Sequence, residues 1–276
     1  MFTINCRGRL VALDRPQVMG IINVTPDSFY QGHLADGPTG ILAMARQMVA
    51  VGASFLDIGG QSTRPGSERV GAEEELARVL RVIELLHREL PQAVLSIDTY
   101  HAAVAKAAVE AGAAMVNDVS GGLMDAAMLP TVGALRVPYV CMHMQGRPET
   151  MQQSPAYGDV VTEVLDYFIE RIAACRQAGI LDVLADPGFG FGKTQPHNFA
   201  LLKNLAAFNI LQCPILVGLS RKSMICKTLG VQPADALNGT TALHMLSLQN
   251  GAHILRVHDV REAVEVVKLW GEVVKS

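Results

Sequence analysis

No two of the five cysteines, Cys6, Cys141, Cys175, Cys213 and Cys226, stand in CxxC spacing, which removes a zinc site and a disulfide framework from consideration. They read as small core hydrophobes. No uninterrupted apolar stretch reaches the roughly 18 residues of a membrane span. Residues 1–13 carry Asn5, Arg7 and Arg9 where a signal peptide would need an apolar core. The expectation is a cytoplasmic protein with no membrane partner. Excess basic charge is missing too. A formal net charge of −3 argues against nonspecific nucleic-acid binding, so an anionic ligand must be met by a local basic cluster. Two phosphate-binding signatures fall short within ADPGFGFGKT, residues 185–194. Gly192, Lys193 and Thr194 supply the end of GxxxxGK[ST], but its first glycine would fall on Pro187. Gly188, Gly190 and Gly192 are spaced GxGxG, not GxGxxG.

What is present is a set of eight short apolar runs, each ending abruptly in a polar or charged residue. The runs are VMGIIN closing on Asn23, SFLDIG with Asp57, VLSID with Asp98, and AMVND with Asn117 and Asp118. PYVCMH with His143, DVLAD with Asp186, ILVGLS with Ser220, and HILRVHD with Arg256 and His258 follow. Continuous Val/Ile/Leu runs are the mark of parallel strands covered by helices on both faces. Helical spacing between them predicts helices near 39–51, 72–89, 102–111, 125–135, 158–178, 197–208, 239–249 and 260–274. The runs show no self-similarity of the solenoid kind. Length (276 residues), 50% hydrophobic content and 25 glycines suit one α/β domain, a (β/α)8 TIM barrel over residues 16–276. Residues 1–15 hold a short N-terminal β-hairpin, with Gly8 between two arginines, that can close the barrel bottom. A doubly wound open sheet is the rival fold. In a barrel the polar strand endings share one rim, the catalytic one.

Each motif has a plainer reading when taken alone. NVTPDSF, 23–29, is good turn chemistry. In QSTRPG, 61–66, Arg64 can be a solvated loop residue. A strand-end Asp98 can cap the next helix. Arg256 and His258, two apart and so on one face, can be a structural histidine beside an Arg256–Asp259 pair. Asp186 before a glycine-rich loop with Phe189 and Phe191 fits a carboxylate facing a flat polar ligand under an aromatic-bearing lid, with glycines letting the backbone approach.

Together, NVTPDSF, STRPG, SIDT (96–99), NDVSG (117–121), MHMQGRPETMQ (142–152), DPGFGFGK, SRKS (220–223) and RVHDV (256–260) closely resemble the dihydropteroate synthase family, from about residue 18 onward. The resemblance implies a pterin-binding barrel that joins 6-hydroxymethyl-7,8-dihydropterin pyrophosphate to p-aminobenzoate. The products are 7,8-dihydropteroate and pyrophosphate, in folate synthesis, and sulfonamides inhibit the reaction.

The resemblance also implies roles. Asp98, Asn117, Asp186, Lys222 and Arg256 hold the pterin, Asp186 accepting two parallel hydrogen bonds from its amino-amide edge. Asn23, Thr63, Arg256 and His258 meet the pyrophosphate, and Asn23 helps coordinate Mg²⁺, which needs few protein ligands because phosphates and waters supply the rest. Phe29, Pro65, Phe191 and Ser223 form the p-aminobenzoate pocket, Ser223 taking the carboxylate at a helix N-terminus. Asp27 and Arg64 belong to loops that close over the site. Asp98, Lys222, Arg256 and His258 are the expected catalytic set. Bond breaking to pyrophosphate precedes amine attack, so Asp98 opposes a pterin-stabilised cation.

The chain departs from the family at Gln61, where Glu is common, and the expected effect is a tuning of loop position. Asp57 and His143 receive no role. A homodimer through the last helices, around Leu243, Leu246 and Trp270, is implied by the family, although an apolar helix face alone is more often core. Two other functions remain open. A non-catalytic pterin binder would have no reason to carry Thr63, Arg64, Arg256 and His258 together. A folate or corrinoid methyltransferase barrel usually lacks the combined SRKS and RVHDV motifs.

Overall fold

The computed structural model describes residues 2–24, 37–61 and 69–275. Thr3–Cys6 (β1) and Arg9–Ala12 (β2) form the hairpin, with Cys6 opposite Arg9. Arg7 and Gly8 between them have φ of 55° and 88°, the double left-handed turn whose twist matches a two-residue hairpin.

Eight parallel strands follow: Gln17–Asn23 (β3), Phe55–Gly59 (β4), Val94–Asp98 (β5), Met115–Asp118 (β6), Tyr139–Met142 (β7), Val183–Asp186 (β8), Leu216–Val217 (β9) and Ile254–Val257 (β10). Their hydrogen-bonded order is β8-β7-β6-β5-β4-β3-β10-β9. A parallel bridge from Ala185 to Ile215, and Ala185 N donating to the Pro214 carbonyl at 2.9 Å, join the two ends. Strand order therefore runs once around and closes, which excludes the open doubly wound sheet. Most strand residues are buried on both faces, because helices cover the outside and side chains fill the inside.

The helices are Gly37–Ala50 (α1), Ala72–Glu89 (α2), Ala102–Ala111 (α3), Met128–Leu135 (α4), Val160–Gln177 (α5), Gln195–Lys203 (α6), Ser223–Leu229 (α7), Leu237–Gln249 (α8) and Val260–Lys275 (α9). Two depart from the sequence expectation. The predicted 197–208 helix splits into α6 and a 3₁₀ segment, Leu205–Leu211. Helix α7 was not among the helices read from periodicity, since seven residues are too few to display a 3.6-residue period; only the resemblance implied a helix beginning at Ser223. It ends at Gly230, φ 68°, a left-handed cap. Asp159 opens α5 by accepting from the Val161 and Thr162 amides at 2.9 Å each, and Thr194 and His197 cap α6 reciprocally. Among the described residues no helix is long and apolar enough to cross a membrane.

The barrel floor is built symmetrically. Met19, Phe55, Val94, Met115, Val140, Leu184, Leu216 and Ile254, one from each barrel strand, pack with Ile4, Cys6 and Leu13 from the hairpin and its exit. Asn5 N donates to Asp182 at 2.8 Å, and Arg7 and Arg9 donate to the carbonyls of Val109 and Gln92. The floor is sealed by the hairpin. Polar strand endings lie at the opposite rim.

Candidate active site

Parallel register places Asn23, Gly59, Asp98 and Asn117 in one row across β3, β4, β5 and β6. Gly59 leaves that row open: a Cβ there would stand 3.7 Å from Asp98 Oδ2 and 3.8 Å from Asn23 Oδ1. One turn of pleat below, Asp57 is fully buried and accepts from Asn117 Nδ2 at 2.9 Å and from Arg256 Nε at 2.6 Å. Arg256 Nη2 reaches Asp98 Oδ2 at 2.6 Å. Asp57, which carried no expected role, is thus the brace for two of the residues that did. The signal was available, because Asp57 is two before Gly59 and so shares its face.

The plainer readings of Asp98 and Arg256 are not what forms. Ala102 N, at the start of α3, donates to Asp125 Oδ2 at 2.8 Å, so Asp98 is not the cap. Asp259 is held in a two-pronged ion pair by Arg221, at 2.8 Å on each prong, so it does not pair with Arg256. Arg221 also donates to the Pro233 and Ala234 carbonyls, both at 2.6 Å. These bonds hold Arg221 at φ 55° and fix the turn on which Lys222 opens α7.

Asp186 ends β8 beside Met142 of β7, almost wholly buried, and accepts from Gly188 N at 2.8 Å. Lys222 Nζ donates to the Phe189 carbonyl and sits 4.5 Å from the centre of the Phe191 ring, a cation–π distance. Phe191 packs with Tyr100, Val119 and Met142. This apolar shelf at the barrel mouth, of which sequence reasoning singled out Phe191 but not Tyr100, Val119 or Met142, would suit a flat ring.

Electrostatics follow from burial. Loss of water pushes Asp98 up to about 7; Arg256 works against that shift, while Asp57, Asp118 and Asp186 add to it. Burial also raises Asp186, with Lys222 opposing. Lys222 is pulled down to about 8 by burial and Arg256 against the pull of Asp186. Arg256 loses charge stabilisation through burial, but Asp57 and Asp98 more than compensate and raise it. Burial therefore works against charge at Asp98 and Lys222 while their charged neighbours favour it, with Arg256 a fixed cation.

His258 lies one residue beyond β10, exposed, its backbone N donating to Ser220 Oγ at 3.3 Å. Ser223 is the exposed first residue of α7, beside a cavity of about 230 Å³ lined by Gln152, Lys193, Thr194, Asn198 and Lys227. Gln61 donates to Tyr100 OH at 2.5 Å, while its Oε1 is buried without a partner among the described residues. Asp27, Phe29, Thr63, Arg64 and Pro65 lie outside the described residues. Among the described residues no group of three or more His, Cys, Asp or Glu could hold a metal ion. Asn23 offers one hard oxygen beside Asp98, a donor set that fits a cation carried mainly by substrate phosphates and water.

The family described as "Pterin binding enzyme" matches residues 19–258. Dihydropteroate synthase of Escherichia coli (strain K12) is 44% identical over 265 residues, 95% of this chain and 93% of that one. The Yersinia pestis dihydropteroate synthase structure with a sulfonamide drug complex superposes with a TM-score of 0.95 at 41% identity, covering 100% of both chains. The Xanthomonas albilineans dihydropteroate synthase with 4-aminobenzoic acid gives 0.92 at 44% identity, covering 99% of this chain and 98% of that one. The chain belongs to the pterin-binding enzymes, as a member of the dihydropteroate synthase family.

Proposed function

We propose that this chain condenses 6-hydroxymethyl-7,8-dihydropterin pyrophosphate with p-aminobenzoate, releasing pyrophosphate and 7,8-dihydropteroate. The observation that carries this reading is the buried array in which Arg256 joins Asp57 to Asp98 while Asp57 also holds Asn117, beside Asp186 and Lys222. An amino-amide ring edge needs a carboxylate acceptor, and Asp186 supplies one in a dry pocket. Asp98 and Asn117 then meet the remaining ring nitrogens, and Lys222 turns from the Phe189 carbonyl to a ring acceptor.

The methylene C–O bond breaks, its electron pair leaving with pyrophosphate. The amine lone pair of p-aminobenzoate forms the C–N bond, and the anilinium proton passes to solvent or to the departing phosphate. Ionised Asp98 lowers the energy of the cation at the pterin methylene where water is excluded. Neither carboxylate bonds Arg256 Nη1, which leaves that edge of the guanidinium for phosphate oxygens, with Asn23, Thr63 and His258 completing the anion side. Mg²⁺, held by Asn23 and the pyrophosphate, would neutralise charge on the leaving group. Phe29, Pro65, Phe191 and Ser223 receive p-aminobenzoate, a pocket sulfonamides would share. Asp27 and Arg64 close over it.

We also infer a cytoplasmic homodimer, with the interface on α8 and α9, where Leu246 and Leu269 are exposed while Leu243 and Trp270 pack partly buried against the core. The test of function supplies dihydropterin pyrophosphate, Mg²⁺ and p-aminobenzoate and follows pyrophosphate and dihydropteroate. Stoichiometric release of both is expected. Tight pterin binding without product would favour a non-catalytic pterin binder and refute the enzyme assignment.

A further inference from the structure

Lys193 ends the glycine-rich run that fell short of a phosphate loop, and its ammonium turns inward. Nζ lies 2.8 Å from His143 Nδ1, 3.0 Å from the carbonyls of Gly188 and Phe191, and 3.3 Å from the carbonyl of His143. Only 3% of the residue is exposed. Three carbonyl oxygens and an imidazole nitrogen form an acceptor cage around a group that has only donors. The cage requires a neutral His143 with its Nδ1 lone pair directed at the ammonium. Burial first, and the charge of Lys193 second, push that imidazole down to about 2. Burial likewise pulls Lys193 well below its ordinary range, with Asp186 opposing.

The cage belongs to a wider pattern. Every carbonyl from Gly188 to Gly192 accepts from a side chain: Gly188 and Phe191 from Lys193, Phe189 from Lys222, Gly190 from Gln152, and Gly192 from Tyr157. Positive φ at Gly188, Gly190 and Gly192 bars this segment from a regular ladder, so side chains must satisfy its backbone. A Cβ on Gly188 would strike the His143 carbonyl, and one on Gly192 would strike that of Gln145. Of these donors, Lys193 alone binds two loop carbonyls and the end of β7 at once.

We propose that Lys193 is a positioning residue, an internal cation that ties the glycine-rich loop to β7 and so sets where Phe191 and Lys222 stand. This rests on the assignment of those two residues above. Lys222 Nζ lies 4.5 Å from the Phe191 ring centre, and a Cβ on Gly190 would stand 3.3 Å from Lys222 Cδ. A small loop shift therefore moves both side chains. Asp186, Asn117 and Arg256 come from strands, so of the pterin contacts only Lys222 moves and the larger loss falls on the p-aminobenzoate end.

Steady-state kinetics of Lys193→Met test this. The KM for p-aminobenzoate is expected to rise at least about tenfold, with the KM for dihydropterin pyrophosphate changed less than about threefold. Equal losses for both substrates, or a lower Tm with both KM values unchanged, overturn the proposal. Should Lys193→Met fail to fold, Tyr157→Phe releases only the Gly192 carbonyl. A rise of about threefold in the p-aminobenzoate KM supports the loop coupling, and an unchanged value sinks it. A wild-type protein that forms no product refutes the parent reading. An active wild type with an indifferent Lys193→Met refutes only this one.

Discussion

Asp57 shows how a buried carboxylate can matter without facing a ligand. It takes the Nε edge of Arg256 and the amide of Asn117 together, so the two side chains hold a common orientation before any substrate arrives. Replacing it with Asn keeps the shape and removes the charge. Asp57→Asn is expected to lower kcat/KM by about 100-fold, near 2.7 kcal/mol of transition-state stabilisation, with Tm little changed. Steady-state kinetics at saturating p-aminobenzoate measure this, and a wild-type kcat/KM would remove the bracing role. Legibility at this scale divided by partner distance. Asp98, Asn117, Asp186, Lys222 and Arg256 stand in motifs whose residue types already suggest a polar pocket. Asp57 and His143 act on other side chains, and their partners Arg256 and Lys193 lie 199 and 50 residues away. No local pattern encodes such pairings.

At the scale of an element, α2 carries an anomaly on an otherwise ordinary amphipathic helix. Val79, Val82, Ile83 and Leu86 form its buried face, and Glu75 joins them at 1% exposure with neither carboxylate oxygen hydrogen-bonded. The Thr99 hydroxyl favours the anion electrostatically without meeting hydrogen-bond geometry. Burial dominates and lifts the carboxyl from 4.5 to about 7, with Asp98 adding to the shift. The folded state therefore binds more protons than the unfolded state between these values. The resulting stability is full below about pH 4.5 and is lost as pH rises through about 7. Glu75→Gln, neutral throughout, should be more stable than wild type at pH 8 relative to pH 5 by on the order of 3 kcal/mol. Urea unfolding at the two pH values reads the difference, and a pH-independent gap would refute a buried, proton-holding Glu75. Helices of this length were legible because five turns repeat the apolar period many times. Helix α7 was not, and its position follows instead from the Arg221–Asp259 pair and the Gly230 cap, which only the folded chain brings together.

For the whole molecule, closure of the barrel was legible from eight apolar runs of parallel-strand character. Asp27, Phe29, Thr63, Arg64 and Pro65, named from their motifs, lie outside the described residues. Assembly belongs to this scale as well. Leu269 is 63% exposed on α9 and Leu246 is 44% exposed on α8, with the two helices packed side by side. Leu269→Glu is expected to shift a homodimer to monomers in sedimentation velocity while the barrel stays folded by circular dichroism. A wild-type protein already monomeric at micromolar concentration would rule out this interface.

The hairpin against the barrel floor has a consequence for traffic. Ile4, Cys6 and Leu13, wedged among eight strand residues, close the floor among the described residues. Under the proposed function, two substrates and two products share the approach from the opposite rim. The hairpin thus leaves the exchange of ligands to the rim that carries Asp98, Asn117 and Asp186.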